Sequence, residues 1–489
     1  MAISIYDSVD HSEFGTGVVE DILGHVVRVN FFGEKIDVNI EELTVKKFYE
    51  PPVKTKDNGF GLKSEKNQFR RSFEAINLGV VPPDPEQLIK LAIGGDFVVR
   101  QIQDWLKDYY KTGMCRVVFG YYGSGKSHFL NMVKCVALQS GWVVSYLEFD
   151  PKEADPAKPH LVYRNLMSTL EFPARDDGSI TEGFFGFVKE VRDNWYSKSI
   201  RSLKLFQKSP WFLHGFEVLI RHAHTEDSEY QAGCNWLAGD YKSYDTINRM
   251  GKNKGYRFKV PRMPVTKDTA DIYTFHLCVI GELCRALGYK GFMIVLDEAE
   301  HVRSYNVKRK ERANNFLDIL SRCAHIPSDL DPPYPNEHGM VVPEYWKEGP
   351  HYSLFVGLTE GDTFSDPSLT LQEACVFTHT QSDCIFLQPP QPEEYKEWCV
   401  RFFQEFYQHY PAEMFILKNE ANINKIAEIL FEMFQRQNDS EVVLRNWIKL
   451  AGLVPCLLFS KHASNVEHAI SIIRNVASEY IFEKLPWED

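Results

Sequence analysis

The chain has 489 residues, 44% hydrophobic and 25% charged, a composition that predicts roughly two to four soluble domains with substantial cores. A formal net charge of −12 argues against coating nucleic acid through overall charge, though a local basic path needs only a patch. No apolar run is long enough to span a membrane, no basic-then-apolar leader opens the chain, and the ten scattered cysteines form no C-x-x-C pair, so a cytoplasmic protein with reduced thiols and no zinc ribbon is expected.

Residues 1–50 read as a separate β module. Val27, Val29 and Phe31 alternate with Arg28 and Asn30, the period of a half-buried strand. A turn is expected at Phe32-Gly33-Glu34-Lys35, after which Ile36, Val38 and Ile40 resume the alternation. Gly15 and Gly17 mark a bend before Val18 and Val19. The pattern looks like a small SH3- or Tudor-like barrel, and its F-G-x-G-x-V opening resembles barrel modules of transcription-coupling and helicase proteins. Residues 51–68, with paired prolines, glycines and lysines, read as a linker.

Residues 69–388 alternate strand-like and helix-like stretches. Strands are expected at Arg116–Gly120, Val143–Phe149, Phe292–Leu296 and Leu354–Leu358, and a helix at Ser127–Ser140. Short aliphatic runs separated by helices predict an α/β fold, a parallel sheet covered on both faces. Residues 389–489 read as a helical lid domain, clearest at Glu394–Tyr407, Ile423–Phe434 and Glu467–Tyr480.

Two motifs carry chemistry. Gly120-Tyr121-Tyr122-Gly123-Ser124-Gly125-Lys126-Ser127 fits G-x-x-x-x-G-K-[ST] between a strand and a helix. Glycines let backbone N–H groups turn inward on phosphate oxygens, and the helix start adds free N–H groups and partial positive charge. Gly120, Tyr122, Gly123, Ser124, Gly125, Lys126, Ser127 and His128 are therefore the expected ATP-binding residues. Lys126 would reach the β- and γ-phosphates, and the Ser127 hydroxyl would ligate Mg²⁺. The second motif is the apolar strand Phe292–Leu296 ending in Asp297-Glu298. Asp297 would hold the metal and Glu298 would act as base on the attacking water.

Weaker signals surround these two. Thr359, at the tip of a strand, is a candidate γ-phosphate sensor or an ordinary helix cap. Arg445, in the helix-like stretch 441–450, is placed to reach phosphates from the lid. Arg303, Arg309 and Arg312 follow the acids as trans-acting finger candidates on what also reads as a solvated helix face. Residues 242–267 hold eight Lys or Arg with Tyr244, Tyr256 and Phe258 interleaved, and Lys198, Arg201, Lys204 and Lys208 form a second basic stretch. Either DNA contact or a solvated insertion accounts for that composition.

Several segments together resemble the ATP-binding proteins of bacteriophage-exclusion-type phage-defence loci, an AAA+-like branch close to the origin-recognition group. They are Arg70-Arg71-Ser72-Phe73-Glu74-Ala75-Ile76-Asn77-Leu78-Gly79-Val80-Val81-Pro82, Leu91-Ala92-Ile93-Gly94-Gly95-Asp96, the P-loop running on through His128-Phe129-Leu130, Tyr163-Arg164-Asn165-Leu166-Met167, and Leu287–Gly291 leading to Leu296–Glu300. The likeness covers roughly residues 69 to 450. Gly95 stands where that family often has arginine, and Leu444 where it usually has proline. The resemblance implies an ATP-hydrolysing switch or motor acting with DNA against phage, beside a helicase, methyltransferase or nuclease, with homo-oligomerisation plausible. A nucleotide-gated scaffold with little turnover and a DNA-binding regulator are the alternative readings.

Overall fold

A computed structural model describes residues 8–12, 15–23, 26–31, 34–39, 42–47, 61–175, 178–196, 200–221, 228–253, 255–256, 259–265, 269–325, 345–359, 384–437 and 444–482. The chain divides into two units, one within residues 1–58 and one from residue 59 onward. The first holds β1 (Ser8–His11), β2 (Gly15–Leu23), β3 (Val26–Phe31), β4 (Glu34–Asn39) and β5 (Leu43–Lys47), antiparallel in the order β4-β3-β2-β1-β5. Alternation holds at part of the expected positions: Val27, Val29 and Val38 are buried and Ile36 half-buried while Asp37 is exposed; the Phe31 side chain and Ile40 lie outside the described residues. Arg28 pairs with Asp37 in register and donates to both carboxylate oxygens (2.7 and 2.9 Å). Two local expectations are corrected. Gly15 and Gly17 lie inside β2, paired to His11 and Val9, because a glycine in an antiparallel ladder still supplies both backbone groups. Glu34 and Lys35 open β4 rather than completing a turn; Phe32 and Gly33 lie outside the described residues.

The second unit begins with α1 (Gly61–Leu78), α2 (Pro85–Lys90) and α3 (Gly95–Thr112). Residues 61–68 are thus helical, not linker. They extend a helix whose buried side chains Phe69, Ser72 and Ile76 repeat at three- and four-residue spacing, so packing further along the helix outweighs the polar composition of its start. Then follow β6 (Cys115–Gly120), α4 (Lys126–Gln139) and β7 (Trp142–Glu148). A long, mainly helical excursion comes next: α5 (Pro159–Ser168), β8 (Leu170–Glu171), α6 (Gly183–Asp193), α7 (Lys204–Lys208), α8 (Pro210–Ile220), α9 (Ser228–Leu237), α10 (Tyr244–Asn253) and α11 (Ala270–Leu287). The chain returns through β9 (Gly291–Asp297), α12 (Val307–Ala324), β10 (Ser353–Thr359) and β11 (Cys384–Phe386). It ends in α13 (Pro392–His409), α14 (Glu420–Gln437), α15 (Leu444–Ser460) and α16 (Val466–Phe482).

The sheet order is β11-β6-β10-β9-β7-β8, parallel except for β8. All four expected strands are present, each within a residue or two of its expected limits. β9 is buried along its whole length, as a central parallel strand covered on both faces must be. On one face Trp142, Val144, Met293, Val295 and Phe355 pack under α3 and α4. On the other, Val143, Leu147, Ile294, Leu296 and Val356 join the helices of the excursion in the largest core.

A third core ties the two ends of this unit together. Phe69 stacks on His409 with ring centroids 4.2 Å apart, and Phe73 meets Phe406 at 4.7 Å. α1 therefore packs with the C-terminal helices, so their shared core does not follow the linear division expected at residue 389. Trp398 and Arg401 of α13 donate to the carbonyls of Leu91 and Ala92, anchoring the turn before α3. In that turn a Cβ on Gly95 would fall 2.6 Å from the Ile89 carbonyl oxygen, so close backbone packing accounts for glycine there. Among the described residues no helix is long and apolar enough to cross a membrane.

Candidate functional site

The site forms at the carboxyl edge of the parallel sheet, where the chain leaves β6, β9 and β10. β6 ends at Gly120, and α4 begins six residues later at Lys126. Between them Gly123 (φ +78°) and Gly125 (φ +96°) take left-handed backbone that side chains disfavour, which folds the loop tightly over the helix start. The first N–H groups of α4 have no intrahelical acceptor and face this loop. Lys126 is buried, and its Nζ donates to the carbonyls of Gly120 (3.1 Å) and Tyr121 (3.3 Å). Ser124 Oγ is buried without a hydrogen-bond partner beneath the loop.

Strand register brings the acids to the same edge. Thr359 at the tip of β10 pairs with Gly120, and Asp297 at the end of β9 pairs with Glu148 of β7. The Asp297 side chain is 1% exposed. Its Oδ1 accepts the Glu298 N–H (2.9 Å), and its Oδ2 accepts the Tyr146 hydroxyl proton (2.8 Å). Gly357 lies beside it: a Cβ there would be 2.6 Å from Oδ1. Burial and the Asp297 charge push the Tyr146 phenol above its ordinary range, so it remains a donor.

Glu298 adopts left-handed backbone (φ +58°), unusual for a residue with a side chain, where the chain turns sharply off the sheet. Burial, with the nearby carboxylates of Glu300 and Asp297, holds its carboxyl above the usual range, while Lys126 opposes that shift. Glu300 takes both Thr359 donors: the hydroxyl reaches Oε1, and the N–H reaches Oε2 at 3.2 Å. Thr359 therefore lies beside the acids; Glu360 and the residues after it, where a helix that Thr359 could cap would begin, lie outside the described residues.

The C-terminal helices reach the loop. Arg445, in the first turn of α15, donates its backbone N–H to the Gly123 carbonyl (3.3 Å) and its Nη1 to the Tyr122 hydroxyl (2.6 Å). Its Nε is buried without a partner. Leu444 Cδ2 lies 3.5 Å from the position a Gly125 Cβ would occupy.

The expected residues do not all converge. Burial lowers the His128 pKa to about 4, with the nearby Leu88 backbone of α2 opposing the shift, so the imidazole lies toward α2 and its Nε2 is buried without a partner. Arg309 bonds Asp155 (3.0 Å) and the Pro151 carbonyl (2.7 Å) and stacks over Tyr305, a structural role that leaves it unsuited to reach another subunit. Arg303 and Arg312 lie in the 3-10 turn 299–304 and in α12. Of the basic stretches, Lys204 and Lys208 pair with Glu348, Arg201 with Glu217 and Arg249 with Glu229. Arg262 stacks on Tyr244 and Arg221 on Tyr256. Lys198, Lys254, Arg257, Phe258 and Lys267 lie outside the described residues.

Sequence reasoning missed Tyr146, Glu300 and Gly357. Strand alternation offered a signal for Tyr146, which shares the parity of the buried Trp142 and Val144 yet carries a hydroxyl. The donor set suits a nucleotide and a hard cation: the N–H groups of a glycine loop, two orphaned polar atoms (Ser124 Oγ and Arg445 Nε), an ammonium, a hydroxyl and a buried carboxylate. A family model described as BREX system ATP-binding protein BrxC/D matches residues 65–327, more than half of the chain. No curated protein matches it.

Proposed function

Because the chain belongs to the BREX system ATP-binding protein BrxC/D family, and so has a part in phage defence that involves ATP and other proteins of that system, we propose that it hydrolyses ATP and uses the cycle to move its lid. The observation that carries this is the convergence on one sheet edge of the Lys126 loop, the Asp297-Glu298 pair and the first turn of α15. The backbone of residues 123–127 would cradle the phosphates, and Lys126 would exchange its carbonyl partners for phosphate oxygens. Ser127 and Asp297 would hold Mg²⁺, which when bound neutralises charge on the phosphates. Glu298, with its raised proton affinity, would orient a water and accept its proton. Thr359 would sense the γ-phosphate once released by Glu300, and Arg445 would couple nucleotide state to α15.

An AAA+-like assignment is part of this reading, as are DNA as working partner and a site completed between copies of the chain. The five-stranded N-terminal sheet is read as an SH3- or Tudor-like module for DNA or protein. The test is steady-state ATP hydrolysis with and without duplex and single-stranded DNA, using Lys126→Ala as the blank. Turnover by wild type alone supports the reading; ATP binding without turnover in any condition overturns it in favour of a nucleotide-gated scaffold. That second reading draws on one observation, that the Thr359 donors and Arg445 Nη1 are already engaged within the protein.

A further inference from the structure

We propose that Tyr146 is a positioning residue that sets the orientation of Asp297 for its cation, and that Asn131 links this pair to the phosphate loop. The inference rests on the reading of Asp297 as the metal-holding acid.

Alternation along β7 decides which side chains meet. Trp142, Val144 and Tyr146 point to the sheet face under α4, and on the neighbouring β9 so do Met293, Val295 and Asp297. Tyr146 sits in register with Val295, two residue pairs before Glu148 meets Asp297. Its hydroxyl reaches Asp297 Oδ2 at 2.8 Å. On β10 the residue of the same facing is Gly357, whose missing side chain leaves room for Oδ1. Asp297 is therefore held between a phenol that pulls one oxygen and a bare backbone that admits the other. The Glu298 N–H completes the set from below.

A connection runs from this carboxylate to the loop. The Asn131 side chain donates its Nδ2 to the Ser127 carbonyl at 2.8 Å and is near enough to the Tyr146 phenol to oppose slightly the upward shift of its pKa. The two residues read as cation ligands, Ser127 and Asp297, thus each bond one of two neighbouring side chains, Asn131 and Tyr146, although they lie 170 positions apart in sequence. A carboxylate free to rotate would have to be ordered each time a cation bound. One clamped in advance loses less freedom on binding, and partners of this kind typically change metal affinity by about 10–100-fold.

The test compares wild type with Tyr146→Phe, which removes only the hydroxyl. Nucleotide affinity is measured in EDTA with a fluorescent ATP analogue, and Mn²⁺ affinity of the ATP complex by electron paramagnetic resonance. Thermal unfolding reports on folding. The expected result is unchanged affinity in EDTA with Mn²⁺ binding weakened about 10–100-fold. Equal Mn²⁺ affinity in the two proteins overturns the role of Tyr146 while leaving the site reading intact. A parallel fall in EDTA affinity and Mn²⁺ affinity also overturns it, since a merely structural role would produce that. Failure of wild type with ATP to bind Mn²⁺ sinks the reading of Asp297 itself. Asn131→Ala serves as the second variant: it spares the Tyr146–Asp297 bond, and a weaker Mn²⁺ defect than that of Tyr146→Phe is expected.

Discussion

Arg445 Nη1 lies 2.6 Å from the hydroxyl of Tyr122, so helix α15 grips the most exposed side chain of the 120–127 loop. Tyr122 is 71% exposed, and the guanidinium carbon stands 5.5 Å from its ring centroid. A charged hydrogen bond of this kind is worth about 1.5–3 kcal/mol. Arg445→Ala is expected to speed amide hydrogen exchange in the first turn of α15 by about tenfold or more. ATP should slow that exchange in wild type and have little effect in the variant. Unchanged exchange in Arg445→Ala would show that the contact does not hold the lid.

Lys126 and Glu298 should separate binding from turnover. Lys126→Ala removes the ammonium from the loop and is expected to lose ATP retention in a filter-binding assay. Glu298→Gln keeps size and hydrogen bonding but not basicity. It should retain ATP and hydrolyse it about 10²–10⁴-fold more slowly. Turnover by Glu298→Gln at the wild-type rate would remove Glu298 from the role of base.

Gly357→Ala tests the space beside Asp297. The added methyl would lie 2.6 Å from Asp297 Oδ1 and 2.8 Å from Leu130 Cδ1. Overpacking of this sort costs about 1–3 kcal/mol. A lower unfolding temperature is expected, with a higher Mg²⁺ requirement for turnover in whatever protein remains folded at the assay temperature. A variant as stable and as active as wild type would mean that Asp297 is not confined there.

His276 makes stability depend on pH. It is fully buried among Tyr163, Trp211, Phe212 and Tyr273, neither ring nitrogen has a hydrogen-bond partner, and burial lowers its pKa to about 3. Unfolded, its pKa is near 6.5. At neutral pH and above, the ring is uncharged in both states. As pH falls below about 6.5 the unfolded chain takes the proton first, so stability is lost progressively down to about pH 3. His276→Phe should flatten this acid limb, leaving the parts due to His128 and His351, each lowered by burial to about 4, and to His160, lowered by burial as well. Urea unfolding at pH 7 and pH 5 measures it. An equal difference between the two pH values in both proteins would refute the assignment.

The phosphate loop was legible because its chemistry is local. Glycines at fixed spacing, a lysine, a hydroxyl, a preceding strand and a following helix all lie within about two dozen residues. The acid pair was legible for the same reason, as an apolar run that ends in two carboxylates. The four main strands followed from aliphatic runs bounded by polar residues. Tertiary packing instead decided the start of α1, which composition alone assigned to a linker. It also decided the fate of Arg309, drawn to a buried Asp155 that nothing local reveals.

Residue types and short spacing therefore determined which groups bind phosphate and metal in this reading, since each such group needs only its immediate backbone. Only the tertiary structure decided how they are held. The sheet order inserts β10 between β6 and β9, which sets Thr359 opposite Gly120 and Gly357 beside Asp297. Tyr146 meets Asp297 because β7 and β9 are neighbours despite the helical excursion between them. Arg445 reaches Gly123 because the C-terminal helices fold back onto α1. These contacts join residues about 60 to 320 positions apart, and no local pattern carries them, because they arise from the hydrophobic burial that brings distant elements together.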